Sequence, residues 1–201
     1  MQRWNHTFSR FIGLLATLIL LTACGIQDIP RARNKVDATL AEVTNQYKRR
    51  ADLIPNLVNV VKGYASHEKD TLTAVVEARA KATQTTIDPS KVNPAQMQEF
   101  IAAQGNLSQA LGRLMVVVEK YPDLKADQGF RDLQVQLEGT ENRVTIARQR
   151  TIEAINEFNN LIGVPPTSFT NSLIYHYEKL PQWTVSDQEK QQIESAPEVK
   201  F

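Results

Sequence analysis

Cysteine occurs once in 201 residues, histidine three times and glycine eight times, and each scarcity removes a class of function. A single cysteine, Cys24, cannot close a disulfide within the chain, and His6, His67 and His176 are too scattered for a histidine-rich metal site. His67-Glu68 opens like a zinc-protease helix, but position 71 is Thr where a second histidine would stand one turn on. No glutamate lies three residues before any histidine, so the paired Glu-x-x-His elements of a bundle di-iron centre are missing too. Neither a phosphate-cradling glycine loop nor a nucleophile elbow occurs. A charge excess is also lacking, with 23 basic residues against 22 acidic ones. A nucleic-acid reader or a polybasic lipid binder would carry a concentrated positive surplus. The expectation is a chain that is not an enzyme, holds no cofactor and binds no nucleic acid.

A long apolar run is missing as well. Residues 11–23, FIGLLATLILLTA, form an uncharged stretch of 13, whereas a bilayer-spanning helix needs roughly 20 residues. With Arg3 and Arg10 ahead of it, the run reads as the core of a cleavable export signal, residues 1–23. An uncleaved anchor beside a bystander cysteine is the competing reading. The segment ends in Leu21-Thr22-Ala23-Cys24-Gly25, which resembles the lipobox of bacterial lipoproteins. That resemblance implies diacylglycerol on Cys24 and cleavage before it. Each buried methylene contributes about 0.8 kcal/mol, so two or three acyl chains would hold the protein at a membrane. Gly25 is not the aspartate that retains lipoproteins in an inner membrane, so a two-membrane cell would send the chain to the periplasmic face of the outer one. Cleavage would remove Arg3 and Arg10 and leave 21 basic against 22 acidic residues.

What the chain does have is helical periodicity. After a spacer, residues 24–31, one stripe runs through Val36, Leu40, Val43, Tyr47 and Ala51 and is broken over residues 52–55 by Pro55. A second follows through Val58, Val61, Ala65, Glu68, Leu72, Val76 and Ala80, unless one helix continues kinked through Pro55. Asn93, Pro94 and Gln96 supply a start signal for a third helix, striped by Met97, Ile101, Gln104, Leu107, Leu111, Leu114, Val118 and Tyr121 and stopped by Pro122. The fourth starts near Asp127 and repeats from Phe130 to Ile162, with Gly163 and Pro165-Pro166 as its stop. No strand-like alternation is present. The expected fold is all-α, an antiparallel up-and-down four-helix bundle over residues 32–163, followed by an irregular C-terminal tail, residues 164–201, rich in proline and aromatics. The tail either folds back over the bundle or docks on a partner or a membrane surface.

Residues 45–82, with RRADLIPNLV, and residues 121–148, with LEGTEN, closely resemble the LemA family, as do Asn156, Phe158, Asn159 and the closing residues 197–201. The resemblance covers roughly residues 32–163. It implies an up-and-down four-helix bundle attached to a membrane and facing away from the cytoplasm, and it implies no activity. Two departures stand out. Family members usually keep an uncleaved apolar anchor where this chain has a lipobox, and often a Gly-Phe-Lys element in the tail where it has Ile174-Tyr175-His176-Tyr177.

The remaining candidates are polar residues on apolar faces. Glu68 and Gln104 fall within stripes, and Glu141 and Arg148 lie at the edge of the fourth. Counted from the helix ends, Glu68, Gln104 and Glu141 share a level, with Arg148 about two turns away. Such a layer fixes helix register or forms a site for a small ligand or metal. Lys48-Arg49-Arg50 reads as a solvated helix end. The function expected is a scaffold at the membrane surface, attached through Cys24 and contacting an unidentified envelope protein, with core ligand binding as the alternative.

Overall fold

The computed structural model describes the backbone of residues 2–89 and 92–183, with side chains from Ile26 onward. Among these residues the chain is helical, without strands. Six α-helices replace the four expected: α1 (Gln2–Tyr64), α2 (Lys69–Gln84), α3 (Pro94–Val118), α4 (Pro122–Ala126), α5 (Gln128–Gly163) and α6 (Thr167–Thr170), followed by a π-helical turn, Asn171–Tyr175. Four are long; α4 and α6 are single turns that the stripes did not reveal.

The largest departure from the sequence reading is α1, a helix of 63 residues containing both Pro30 and Pro55. It runs through the stretch read as a spacer, where Ile29 is completely buried. It also runs through Pro55, as the competing arrangement of one continuous helix has it, so the helix-to-helix turn falls at residues 65–68, not at 52–55. A proline inside a helix deprives the carbonyl four residues earlier of its N–H partner. Both orphaned carbonyls have found another donor. The Ala51 oxygen accepts from Arg79 Nε of α2 at 2.8 Å, and the Ile26 oxygen accepts from the Tyr175 hydroxyl of the π-helical turn at 2.7 Å. Each proline is therefore compatible with an unbroken helix because a distant side chain replaces the missing bond.

The turn at 65–68 splits what the sequence reading took as one stripe, and two helices need not share a phase. Leu72 and Val75 are buried in α2, while Val76 is half exposed. Glu68, expected on an inward face, stands at the residue before α2, makes no side-chain capping bond there and is only partly buried. Helix starts elsewhere follow the local signals. Asn93 Oδ1 accepts from Gln96 N at 2.9 Å with Pro94 in the first turn, and Asp127 Oδ1 accepts from Phe130 N at 2.8 Å. Pro122 does not stop α3, which ends at Val118, but opens α4.

Helices α1 and α5 pack in opposite directions: Lys35 meets Glu157, Glu42 meets Arg150, Arg50 meets Glu141 and Tyr64 meets Asp127. Between α2 and α3 the order also reverses, since Tyr121 donates to Glu68 while Gln104 donates to the Ala82 carbonyl. The apolar side chains form two clusters. One gathers Ile29, Val36, Leu40, Phe100, Val144 and Phe158; the other gathers Ile54, Leu57, Leu107, Leu114, Phe130 and Leu137. Full burial of each such side chain is worth about 1.5–3 kcal/mol. The tail folds back onto the first cluster as far as Trp183, which is buried and meets Phe100 edge-on at 6.2 Å. Residues 184–201, including the closing 197–201, lie outside the described residues, as do the side chains of the expected signal and of Cys24.

Candidate functional site

Between the two apolar clusters lies a polar layer, and its centre is a residue the sequence reading placed in solvent. Arg50 is 2% exposed. With α1 unbroken, its seam steps through Val43, Tyr47, Arg50, Ile54, Leu57 and Val61, all buried, and Arg50 sits at a core position. A break assumed at Pro55 hid this by directing the stripe to Ala51 alone. The missed signal was the three-and-four spacing that continues through Arg50 into LIPNLV.

A guanidinium stays charged at any physiological pH, so its burial demands partners. Nη1 donates to Glu141 Oε2 at 2.7 Å and to Ser108 Oγ at 3.0 Å. Nη2 donates to Gln104 Oε1 at 3.1 Å and, more weakly, to the Gln104 carbonyl at 3.3 Å. The group lies over the Tyr47 ring at 5.1 Å, a cation–π contact. Gln104 is buried and its amide nitrogen donates to the Ala82 carbonyl at 3.1 Å. One side chain from α1 thereby ties α3 and α5 together, and Gln104 extends the tie to α2. Arg50 Nε is buried without a hydrogen-bond partner.

Two of the four expected layer residues, Gln104 and Glu141, meet here through Arg50. Glu68 is elsewhere. It accepts from the Tyr121 hydroxyl at 3.1 Å, at the opposite end of α2 from Ala82 and so about 20 Å away along the helix. Burial, and then that bond to Glu68, hold the Tyr121 phenol above its ordinary pKa. Arg148 is half-buried on α5, two turns beyond Glu141. The cation in the layer is Arg50, supplied by a different helix.

The layer opens to the surface on two sides. A groove of about 300 Å³ between α3 and α5 is lined by Arg50, Ser108, Met115, Leu137 and Glu141 among others. Its rim carboxylate, Glu141, keeps 48% of its side chain exposed while Arg50 keeps 3%. A second pocket, of about 390 Å³, lies over Tyr47, Lys48, Asp52, Arg79, Phe100 and Gln104. Among the described residues no group of three or more histidine, cysteine or acidic side chains is placed to hold a metal ion. No helix among them is long and apolar enough to cross a membrane.

The tail residues carry a second set of contacts. Asn159 of α5 clamps Leu180 through both amide atoms, at 2.9 and 2.8 Å, and Asn156 Oδ1 accepts from Gln182 at 2.7 Å. Asn171 closes the π-helical turn onto Tyr177 in the same two-point manner, at 3.0 Å each. The asparagines near the end of α5 that carried part of the family resemblance thus hold the returning tail.

Comparison with known proteins bears on the same segments. A family model described as the LemA family matches residues 39–201. Protein LemA of Metamycoplasma hominis is 22% identical over 135 residues, which make up 67% of this chain and 58% of that protein. The match therefore spans less than two thirds of that relative's length.

Proposed function

This chain belongs to the LemA family, and on that premise we propose that it is a lipid-anchored, non-catalytic scaffold at the outer face of a membrane. Cys24 carries the lipid and an envelope protein is the partner. The four long helices are taken as the up-and-down bundle that the resemblance implies; the reversed order of paired residues in α1 with α5, and in α2 with α3, supports this. The observation that carries the non-catalytic reading is the polar layer itself. Its guanidinium, carboxylate, amide and hydroxyl are engaged mainly with one another and span four helices, as groups that fix packing are. Attachment at Cys24 is supported by the sequence of residues 21–25 and by the shortness of the apolar run before it.

Metabolic labelling with a fatty-acid analogue tests the anchor. The wild-type chain takes up label and fractionates with membranes, whereas Cys24→Ala remains unlabelled and either unprocessed or released. A wild-type chain that takes up no label ends the lipoprotein reading. Crosslinking in intact cells then looks for the protein partner.

A second reading, binding of a small carboxylate ligand at the layer, is favoured by one observation: the partnerless Arg50 Nε beneath the α3/α5 groove. It requires that such a ligand raise the melting temperature of the wild-type chain and leave Arg50→Met unaffected.

A further inference from the structure

The exposed apolar side chains are unevenly distributed. Of eleven exposed large hydrophobic residues among those described, six, namely Ile26, Val164, Phe169, Leu173, Ile174 and Tyr177, come from α1 just after Cys24 and from the chain just beyond α5. Leu173 is 78% exposed and Phe169 64%, in a segment that Asn171, Tyr175 and Tyr177 tie to the rest of the fold. Asn171 is buried and clamps Tyr177, Tyr177 stacks on Tyr175 at 5.7 Å, and the Tyr175 hydroxyl donates to the Ile26 carbonyl. The short helix α6 packs against both α1 and α5. The apolar side chains are thus presented outward from a hydrogen-bonded mount, in contrast to the aromatic Trp183 a few residues on, which is buried.

The position of that mount decides what covers it. Ile26 is two residues past Cys24, the proposed point of lipid attachment, about 3 Å of helix rise. A hydrogen bond therefore ties the patch to the point where the chain meets its anchor. Tyrosines favour the boundary between lipid and water, where the ring is apolar and the hydroxyl stays hydrogen-bonded. Exposed Arg31 and Lys179 stand at the same end with long stems able to reach headgroups.

We propose that Phe169, Leu173 and Ile174 insert into the surface of the bilayer that holds the anchor, as a second contact that fixes the tilt and rotation of the helices above it. The inference rests on the membrane-anchored reading and adds to it a protein surface that touches lipid. Amphipathic segments of this kind reach roughly 5–10 Å into the headgroup and acyl boundary.

The test uses the full chain reconstituted into phosphatidylethanolamine–phosphatidylglycerol vesicles, with a nitroxide at Leu173→Cys or, for reference, at Glu138→Cys, an exposed position of α5 at the rim of the α3/α5 groove. Both positions are exposed, so neither substitution threatens the fold. The ratio of collision rates with oxygen and with a water-soluble nickel chelate is expected to be several-fold higher at residue 173 than at 138. Adding Tyr175→Phe, which removes the bond to Ile26, should bring the two ratios closer. Equal ratios at both positions would mean that the patch faces water, and protection of residue 173 from both reagents would mean that protein covers it; either result overturns the proposal. The mass of the N-terminal peptide from the same vesicles reports acylation of Cys24 separately; a chain held without lipid fails the anchor reading, and the depth of residue 173 is then read in a Cys24→Ala background, where one thiol takes the nitroxide.

Discussion

Arg50 is held by a division of labour among small interactions, and its neighbours should reveal which ones matter. Removing one partner of a buried charge leaves the desolvation cost uncompensated, whereas removing the charge itself relieves it. Glu141→Ala is accordingly expected to lower stability by about 1–3 kcal/mol, a range reduced because Glu141 is half exposed and screened. In an Arg50→Met background the same change should cost close to nothing, and chemical denaturation of the four chains measures the difference. Variants at Glu68 do not report on this layer, because its partner is Tyr121. Asp127 offers a pH readout. Hydrogen bonds from the Phe130 amide and then from Tyr64 hold its carboxyl below the ordinary value. The folded-state pKa is depressed, so the contribution is present above the ordinary carboxylate pKa and is lost as pH falls through that value towards the lower one. Asp127→Asn keeps the cap but cannot titrate, so its stability should fall less steeply with acid than that of the wild-type chain.

At the scale of elements, legibility in the sequence followed the locality of the signal. The starts of α3 and α5 are set by Asn93 and Asp127, and the end of α5 by Pro165, which keeps Val164 extended; all lie within four positions of the boundary and were readable. The course of α1 was not. Proline 55 argued for a break, and the reason there is none is Arg79, whose position in space no local rule supplies. The misplacement of Arg50 follows from that break, and that of Glu68 from carrying one stripe across the turn at 65–68. The substitution can be tested as a cycle. Arg79→Met should cost about 1–2 kcal/mol, the price of an unmet carbonyl. In a Pro55→Ala background, where residue 55 regains its own N–H, the loss should shrink markedly, and thermal or urea melts of the four chains measure the coupling. Losses of equal size in both backgrounds would show that Arg79 acts through something other than the Ala51 carbonyl.

For the whole molecule, the core extends past the boundaries the stripes suggested. Ile29 precedes the expected start at residue 32, and Trp183 follows the expected end at residue 163; both are buried in the cluster that contains Phe100. Trp183→Ala is expected to cost about 3 kcal/mol, and a chain trimmed to residues 32–163 should melt well below one spanning 26–183, as calorimetry would register. Leu137→Asp and Val144→Asp each place an unpaired charge in one of the two clusters, and loss of the cooperative helical melt is expected for both.

The two prolines of α1 also set an order in time. Until the chain that carries their donors has been made, the Ala51 and Ile26 carbonyls have only water as a partner. The donor for Ala51 lies 28 residues downstream and that for Ile26 lies 149 residues downstream. The first gap can close while α2 is still emerging, whereas the second waits until nearly the whole chain has been translated. The stretch around Ile26, made early, is thus completed late, and a chain terminated before Tyr175 would carry the Ile26 carbonyl without that partner.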